Sequence, residues 1–430
     1  MIRMETLVNA HTTPLLAALA AQFPRSPAAA RLKAAVLFHG VRWDDCLGPA
    51  GEWAFPSHMP YQAQPGDTIY KGQSRFYIPQ IAQLDDDTHF RIRVKRESPF
   101  VIRQGDGPRS FVLAEGDAAV CSLTFEPKHA WAEALSADGT PMRATGLVQH
   151  GDMLVANVAP GCEYFVVPKA GVAQRTENLS CQFCLYGVPD QRMDALGQKL
   201  FEARVPERTL DRVSEACGHP ETHARHLYLV GGSMLDMAAE GERYVQIARR
   251  LAEAGLADRY YIACGSGAIE RRHMLELKDA GVRGACFNLE VWDPKQFERV
   301  CPGKARTVGR DRWLQSLEEA VDVFGRGNVM SAFVGGAELD GEGAMTSAEE
   351  AHESNVACGE HLIPRGIVPV YSIFWKLTGK ERGVEPLYSL ENFLRLNESH
   401  AAMRAAYSAK TNPDFFCRRC AYMEMEPDYD

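Results

Sequence analysis

From Leu227 onward the chain alternates short apolar strand-like runs with amphipathic stretches of helical period, and few folds accommodate that alternation. Leu227–Val230 reads as a strand closing on Gly231-Gly232, and Glu242–Ala254 as a helix with Tyr244, Ile247 and Leu251 on one face. Tyr260–Cys264 is the next strand, Glu270–Ala280 the next helix, and Gly284–Leu289 another strand. Trp313–Phe324 is helical, Asn328–Val334 is a strand closing on Gly335-Gly336, Ser347–Leu362 is helical, and Ile367–Phe374 ends the series as an apolar strand. Asp190–Arg204 supplies a helix ahead of it. Strands joined through helices at this spacing predict an α/β fold, a partial TIM-type (β/α) barrel of six strands with right-handed crossovers. Ligands of such folds collect at the carboxyl ends of the strands. The first strand has two candidates, Met153–Val158 and Glu163–Val167.

Ahead of the series the texture differs. Residues 1 to 30 read as helical and Ala-rich, and short β-like runs then alternate with Gly, Pro and Asp turns: Phe76–Ile78, Phe90–Val94, Phe100–Arg103, Phe111–Ala114 and Ala119–Phe125. The expected division is a β-rich N-terminal region over 1–152, the barrel over 153–380, and a C-terminal extension over 381–430. No internal repeat or low-complexity linker marks these boundaries.

A chain of 430 residues with 46% apolar and 24% charged residues can bury a sizeable core. A formal net charge of −9 argues against broad nucleic-acid coating, although the Arg91–Arg96 cluster is locally basic. No apolar run reaches membrane-spanning length and no signal-peptide layout is evident, so the cytoplasm is the expected location. Twelve cysteines in such a chain do not read as a disulfide framework. Cys121, Cys217, Cys264, Cys286 and Cys358 sit singly in apolar surroundings and read as core. Only Cys181/Cys184 and Cys417/Cys420 have ligand spacing.

Two thiolates two residues apart can grip one soft metal centre, because the intervening turn aims both sulfurs the same way. The stretch Glu177–Gly187, with Cys181, Cys184 and an aromatic at Phe183, resembles the iron–sulfur loop of the radical S-adenosylmethionine (SAM) enzymes. That family's pattern is Cys-x3-Cys-x2-Cys; the position of its first cysteine is Glu177 here. The resemblance extends over residues 150 to 375. Gly231-Gly232-Ser233 is similar to the family's Gly-Gly-Glu motif, whose backbone carbonyls hold the SAM amino group and where glycine permits close approach. Phe287–Glu290 resembles a strand on which a polar residue contacts SAM, with Glu290 in that place. Arg310 stands where such members carry an arginine near the SAM carboxylate, and Val334–Glu338 resembles the strand against the adenine. The resemblance implies a [4Fe-4S] cluster with one open iron chelated by SAM, reductive cleavage to a 5′-deoxyadenosyl radical, and hydrogen abstraction from a small-molecule or peptide substrate. It implies an electron donor such as flavodoxin or ferredoxin.

The third cluster ligand has three candidates. Cys162 precedes Cys181 by eighteen intervening residues, after the Pro160-Gly161 turn, and a loop of that length closes readily. It faces the mouth if Met153–Val158 is the first strand and the opposite end if Glu163–Val167 is. Glu177 offers an oxygen, a harder donor than the cluster prefers, and another cysteine is the third possibility. Cys162 is the reading adopted, giving Cys-x18-Cys-x2-Cys. Cys417-Arg418-Arg419-Cys420 is a possible second metal centre or a dithiol, with two further ligands needed and none nearby in sequence. Asp190 and Arg192 read as helix-capping, the His219/His223/His226 group and Asp85–Asp87 as polar turns, and Tyr371 and Trp375 as pocket or core. The alternatives to a radical SAM enzyme are a zinc-supported barrel and a barrel that has lost its cluster and binds a partner. The substrate is not legible, because fold does not select it.

Overall fold

The computed structural model describes residues 13–43, 79, 81–84, 86–93, 95, 97–142, 147–159, 161–169, 175–184, 205, 207–378 and 383–430. The expected helix Asp190–Arg204 and the run Phe76–Ile78 lie outside them, as do Tyr186 and Gly187 of the cysteine loop. The chain forms two compact units, each discontinuous in sequence: Met1–Lys128 with Ile373–Ala402 and Cys417–Asp430, and His129–Ser372 with Met403–Phe416. The segments 1–152, 153–380 and 381–430 cut across these units.

The first unit carries a six-stranded sheet. Its strands are β1 (Arg42–Trp43), β2 (Ile81–Gln83), β3 (His89–Arg91), β4 (Phe100–Gln104), β5 (Phe111–Glu115) and β6 (Ala118–Phe125), in the order β1-β4-β5-β6-β2-β3. All neighbours are antiparallel except β1 and β4. Period-2 burial along β6 puts Cys121, Leu123 and Phe125 inside, with Phe111 and Phe125 rings 4.5 Å apart. Helices Pro14–Gln22 and Ala28–His39 precede the sheet. Lys33 on the second of them meets Asp428 at 2.6 Å with both side chains wholly buried. Cys417 and Cys420 lie in a turn of this unit closed by the Cys420 N–H donating to the Cys417 carbonyl at 2.9 Å, and their sulfurs are 3.1 Å apart.

The second unit is the expected α/β body. Its strands are β7 (Leu147–His150), β8 (Met153–Ala159), β9 (Val167–Pro168), β10 (Thr176–Glu177), β11 (His226–Gly231), β12 (Tyr261–Gly265), β13 (Val282–Cys286), β14 (Val329–Gly335) and β15 (Ile367–Ile373). Seven of them make one curled half-barrel sheet in the order β15-β14-β13-β12-β11-β8-β7. β8, β11, β12, β13 and β14 run parallel to their neighbours in turn. The six expected strands are therefore joined by a seventh, β7, which folds back antiparallel on β8 through the Gly151 turn at φ 54°. A hairpin partner adds no helix to the pattern, so the alternation does not announce it.

β8 is the first parallel strand, and the alternative over Glu163–Val167 is corrected: Glu163–Phe165 is a 3₁₀ turn. Gly284–Leu289 is also shorter than read, because the ladder ends at Cys286. Beyond it the Asn288 side-chain oxygen accepts from the Ala332 N–H at 3.2 Å, standing in for a backbone partner. Helices Met237–Glu253, Arg271–Asp279, Arg310–Phe324 and Ala348–Leu362 fall between the strands. Leu154, Leu227, Leu229 and Ile262 are fully buried, each contributing roughly 1.5–3 kcal/mol of apolar burial. Residues on the other face are less covered: Val155, Asn157, Val230, Ala332, Val334 and Ser372. One face of the sheet is sealed and the other stays partly open. Tyr371 belongs to the core, its ring stacked 5.1 Å from Phe333 and its hydroxyl on Asn355 at 3.2 Å.

Candidate metal centre

With β8 ending at Ala159, Cys162 emerges at the carboxyl end of the sheet. Its neighbour there is the loop after β11. A Cβ added to Gly232 would lie 2.1 Å from the Gly161 carbonyl oxygen and 2.7 Å from Cys162 Cα, so only glycine lets the two chains pass. The Glu163 N–H donates to the Ser233 carbonyl at 2.9 Å, and the backbone N–H groups of Tyr164 and Ser233 point at the Cys162 sulfur. Gly231 ends β11, so Gly231, Gly232 and Ser233 form the seat of Cys162.

The cysteine loop is fastened to the same seat. The Leu179 N–H donates to the Tyr164 carbonyl at 2.7 Å, and the Gly303 N–H to the Leu179 carbonyl at 2.8 Å. A Cβ on Gly303 would collide with the Tyr164 ring at 2.5 Å. The Gln182 N–H donates to the Val300 carbonyl at 2.9 Å, and the Cys184 N–H closes a tight turn on the Cys181 carbonyl at 2.9 Å. Arg299 ties this loop to the one after β14, donating to Gln182 Oε1 at 3.2 Å and to the Glu338 carbonyl at 3.2 Å. Cys181 is buried, while Phe183 and Cys184 are half-buried.

The three sulfurs are near enough to feel one another. Burial pushes the Cys162 thiol up to about 12, and the neighbouring Cys184 and Cys181 sulfurs add to it against the two backbone donors. Cys181 is different. A hydrogen bond from the Cys301 thiol holds it below the usual range despite burial. Cys301 is itself raised well above that range, first by burial and then by Cys181. Lys304 lies beneath both, its ammonium donating to the Asn288 carbonyl at 2.5 Å and to Glu290 at 2.8 Å, 4.6 Å from the Trp313 ring centre. Burial alone would lower Lys304, but the Glu290 carboxylate and the Cys181 and Cys301 sulfurs keep it above its ordinary value.

Glu290 sits at φ 74°, in the left-handed region that costs a non-glycine residue about 1–3 kcal/mol, and bridges to Phe333 of β14. Val334 is held there by its N–H on the Glu290 carbonyl at 2.9 Å. Glu290 and Val334 thus flank one point of the open face, next to the sulfur cluster through Lys304. Arg310 is elsewhere engaged: its guanidinium donates to the Trp292 carbonyl at 3.0 and 3.2 Å and stacks 4.4 Å over the Trp292 ring. Glu177 is paired as well. Its backbone is in register with Val167 in the β9–β10 ribbon, and its carboxylate binds Arg306.

Three residues of this site went unused in the sequence reading. Cys301 and Lys304 lie on a Cys-Pro-Gly-Lys turn whose one visible signal was a cysteine beside Pro-Gly. Buried Glu240 accepts from the Met234 N–H at 2.8 Å and from the Gly267 N–H, joining the loops after β11 and β12. Its carboxyl is raised by burial.

No protein-family model matches the chain. It is 35% identical over 63 residues to bacteriochlorophyllide c C-7(1)-hydroxylase of Chlorobaculum limnaeum, a match covering 15% of this chain and 16% of that relative's length. Among solved structures, the FeFe-hydrogenase maturase HydG from Carboxydothermus hydrogenoformans aligns at 12% identity and TM-score 0.33, over 53% of this chain and 49% of that one. Methylornithine synthase (PylB) aligns at 14% identity and TM-score 0.36, over 65% and 78%. No helix among the described residues is long and apolar enough to cross a membrane.

Proposed function

We propose that the chain is a radical SAM enzyme whose [4Fe-4S] cluster is held by Cys162, Cys181 and Cys184. The observation that carries this reading is the seating of Cys162 against Gly232 and Ser233 at the carboxyl end of the sheet, within electrostatic reach of the two loop sulfurs. The donor set fits such a group: three thiols, two backbone N–H groups aimed at one sulfur, and a buried ammonium near another. When bound, the cluster and SAM supply reductive carbon–sulfur cleavage and a radical able to abstract hydrogen. The chain's own part is to hold the thiolates, position SAM and keep water out. Glu290, Val334, Gly231, Gly232, Ser233 and Phe183 are the residues we assign to the SAM side of the site. Asn157 strengthens that assignment, because its side-chain oxygen is buried on the open face with no hydrogen-bond partner among the described residues.

Arg310 is kept as a SAM-carboxylate candidate only if its Trp292 contact opens on binding. The substrate is a small molecule or a peptide, and a flavodoxin- or ferredoxin-type donor supplies the electron. Cys417 and Cys420 are proposed as part of a second metal centre, on their 3.1 Å separation. Anaerobic reconstitution with iron and sulfide, followed by metal analysis and paramagnetic resonance with and without SAM, tests the assignment. A colourless zinc protein would replace it with the structural-zinc reading.

A further inference from the structure

The parallel strands begin at the end of the sheet opposite Cys162, and there the starts of β11, β12 and β13 share a cavity of about 320 Å³. Register brings them level: His226 pairs with Tyr261, and Ile262 with Val282. Arg225, Arg259 and Arg283, at or just ahead of these starts, all line the cavity. Arg225 pairs with Asp414 at 3.3 Å. The other two guanidiniums are placed by neutral groups. Arg259 donates to the Gly218 carbonyl at 3.2 Å, to the His219 carbonyl at 3.3 Å and to the Thr222 carbonyl. Arg283 lies 5.9 Å from the centre of the Tyr261 ring and reaches the Ala257 carbonyl only at 3.5 Å. Tyr261 is a firm support, stacked 5.8 Å from Phe415 with its hydroxyl on Asn328 Oδ1 at 3.0 Å. Neither Arg259 nor Arg283 has a carboxylate partner among the described residues. With Arg225 and Asp414 neutralising one another, the cavity keeps two guanidiniums against the single carboxylate of Asp258.

We propose that this cavity is a binding site for a phosphoryl group, held between Arg259 and Arg283, either as free phosphate or as the end of a small phosphorylated molecule. It stands at the far end of the sheet from the cluster and is independent of that assignment. Isolated surface arginines are ordinarily solvated and contribute little. Here two of them, both without a carboxylate, converge on one space from successive strands. A guanidinium has more N–H donors than the three carbonyls on Arg259 consume, so both side chains can still donate. A phosphoryl group offers three acceptor oxygens and close to two negative charges at neutral pH, enough to serve two forks at once. A carboxylate, with two oxygens and one charge, fits that pair less well. An occupant bridging the starts of β12 and β13 binds only the folded chain and stabilises it as its concentration rises.

Thermal unfolding of the full chain is followed against inorganic phosphate and, separately, against ADP, at an ionic strength fixed with sodium chloride. The melting temperature of the wild type is expected to rise saturably with at least one of them. Arg283→Gln should need about tenfold more of the same compound for half the rise, the loss of a charge-assisted hydrogen bond. Phosphate acting at the same concentration as ADP supports the site as one for free phosphate, and ADP acting at a lower concentration supports a phosphorylated molecule. Arg283 is exposed, so its glutamine variant should fold. If it does not, Arg283→Lys, which keeps the charge and loses the fork, carries the test with a smaller weakening. Arg249→Gln, at an exposed arginine outside the cavity paired with Glu276, should respond like the wild type. No saturable rise with either compound overturns the inference. So does an Arg283 variant that responds like the wild type, or an Arg249 variant weakened as much as Arg283→Gln, which would make the effect one of general charge.

Discussion

Gly232 and Cys162 occupy one another's space: the Cys162 Cα lies 2.7 Å from where a Gly232 Cβ would stand. The sequence suggests glycine at 232 so that backbone can approach a ligand; the structure adds that it lets a second chain segment through. Gly232→Val should displace Cys162 before it disturbs SAM directly. Iron content after reconstitution should fall steeply, with the sheet intact by circular dichroism. Full iron with weakened SAM binding would mean the glycine serves the ligand alone.

Cys162→Ala, Cys181→Ala and Cys184→Ala should each lose the cluster, whereas Glu177→Ala should keep it. Glu177 is spoken for by Arg306 and by the β9–β10 ribbon, and an oxygen is the poorer donor for such a centre. Iron analysis of the four variants decides it. Retention in Cys162→Ala with loss in Glu177→Ala would invert the ligand assignment.

The barrel was legible because its strands are continuous apolar runs and its helices have one-sided periodicity, both local signals. Cys181 and Cys184 stood out in the sequence by their ligand spacing, and the structure closes a tight turn between them, the Cys184 N–H on the Cys181 carbonyl. Cys301 and Lys304 were not, since their role depends on a loop more than a hundred residues earlier docking onto their turn. The same holds for Glu177, whose partner Arg306 is 129 residues away. Arg310 shows the reverse: a position suggested by resemblance, with its guanidinium bound to Trp292 in the structure.

Removing one partner of the buried Lys304–Glu290 pair should cost about 3–5 kcal/mol, because the other charge is left uncompensated. Lys304→Met should therefore lower the denaturant midpoint strongly, and Glu290→Gln in the same chain should recover part of it. Equal stability of Lys304→Met and wild type would show the pair to be solvated.

Glu338 provides a pH test. Burial raises its carboxyl from its ordinary value of 4.5 to about 7, against hydrogen bonds from Asn355 and Gly336. The folded state thus holds a proton that the unfolded state has released, so stability falls as pH rises from about 4.5 to about 7. The loss is on the order of a few kcal/mol at most. Denaturation at pH 5 and pH 8 should show this decline in wild type and a flatter profile in Glu338→Gln. Parallel profiles would assign the dependence to other groups.

The most direct measurement is anaerobic reconstitution of the wild-type chain with iron and sulfide, read by iron content and by paramagnetic resonance of the reduced protein before and after SAM. The expected result is about four irons bound through Cys162, Cys181 and Cys184, with a spectrum that changes when SAM is added. A protein that binds no iron, or whose reduced spectrum ignores SAM, would contradict it.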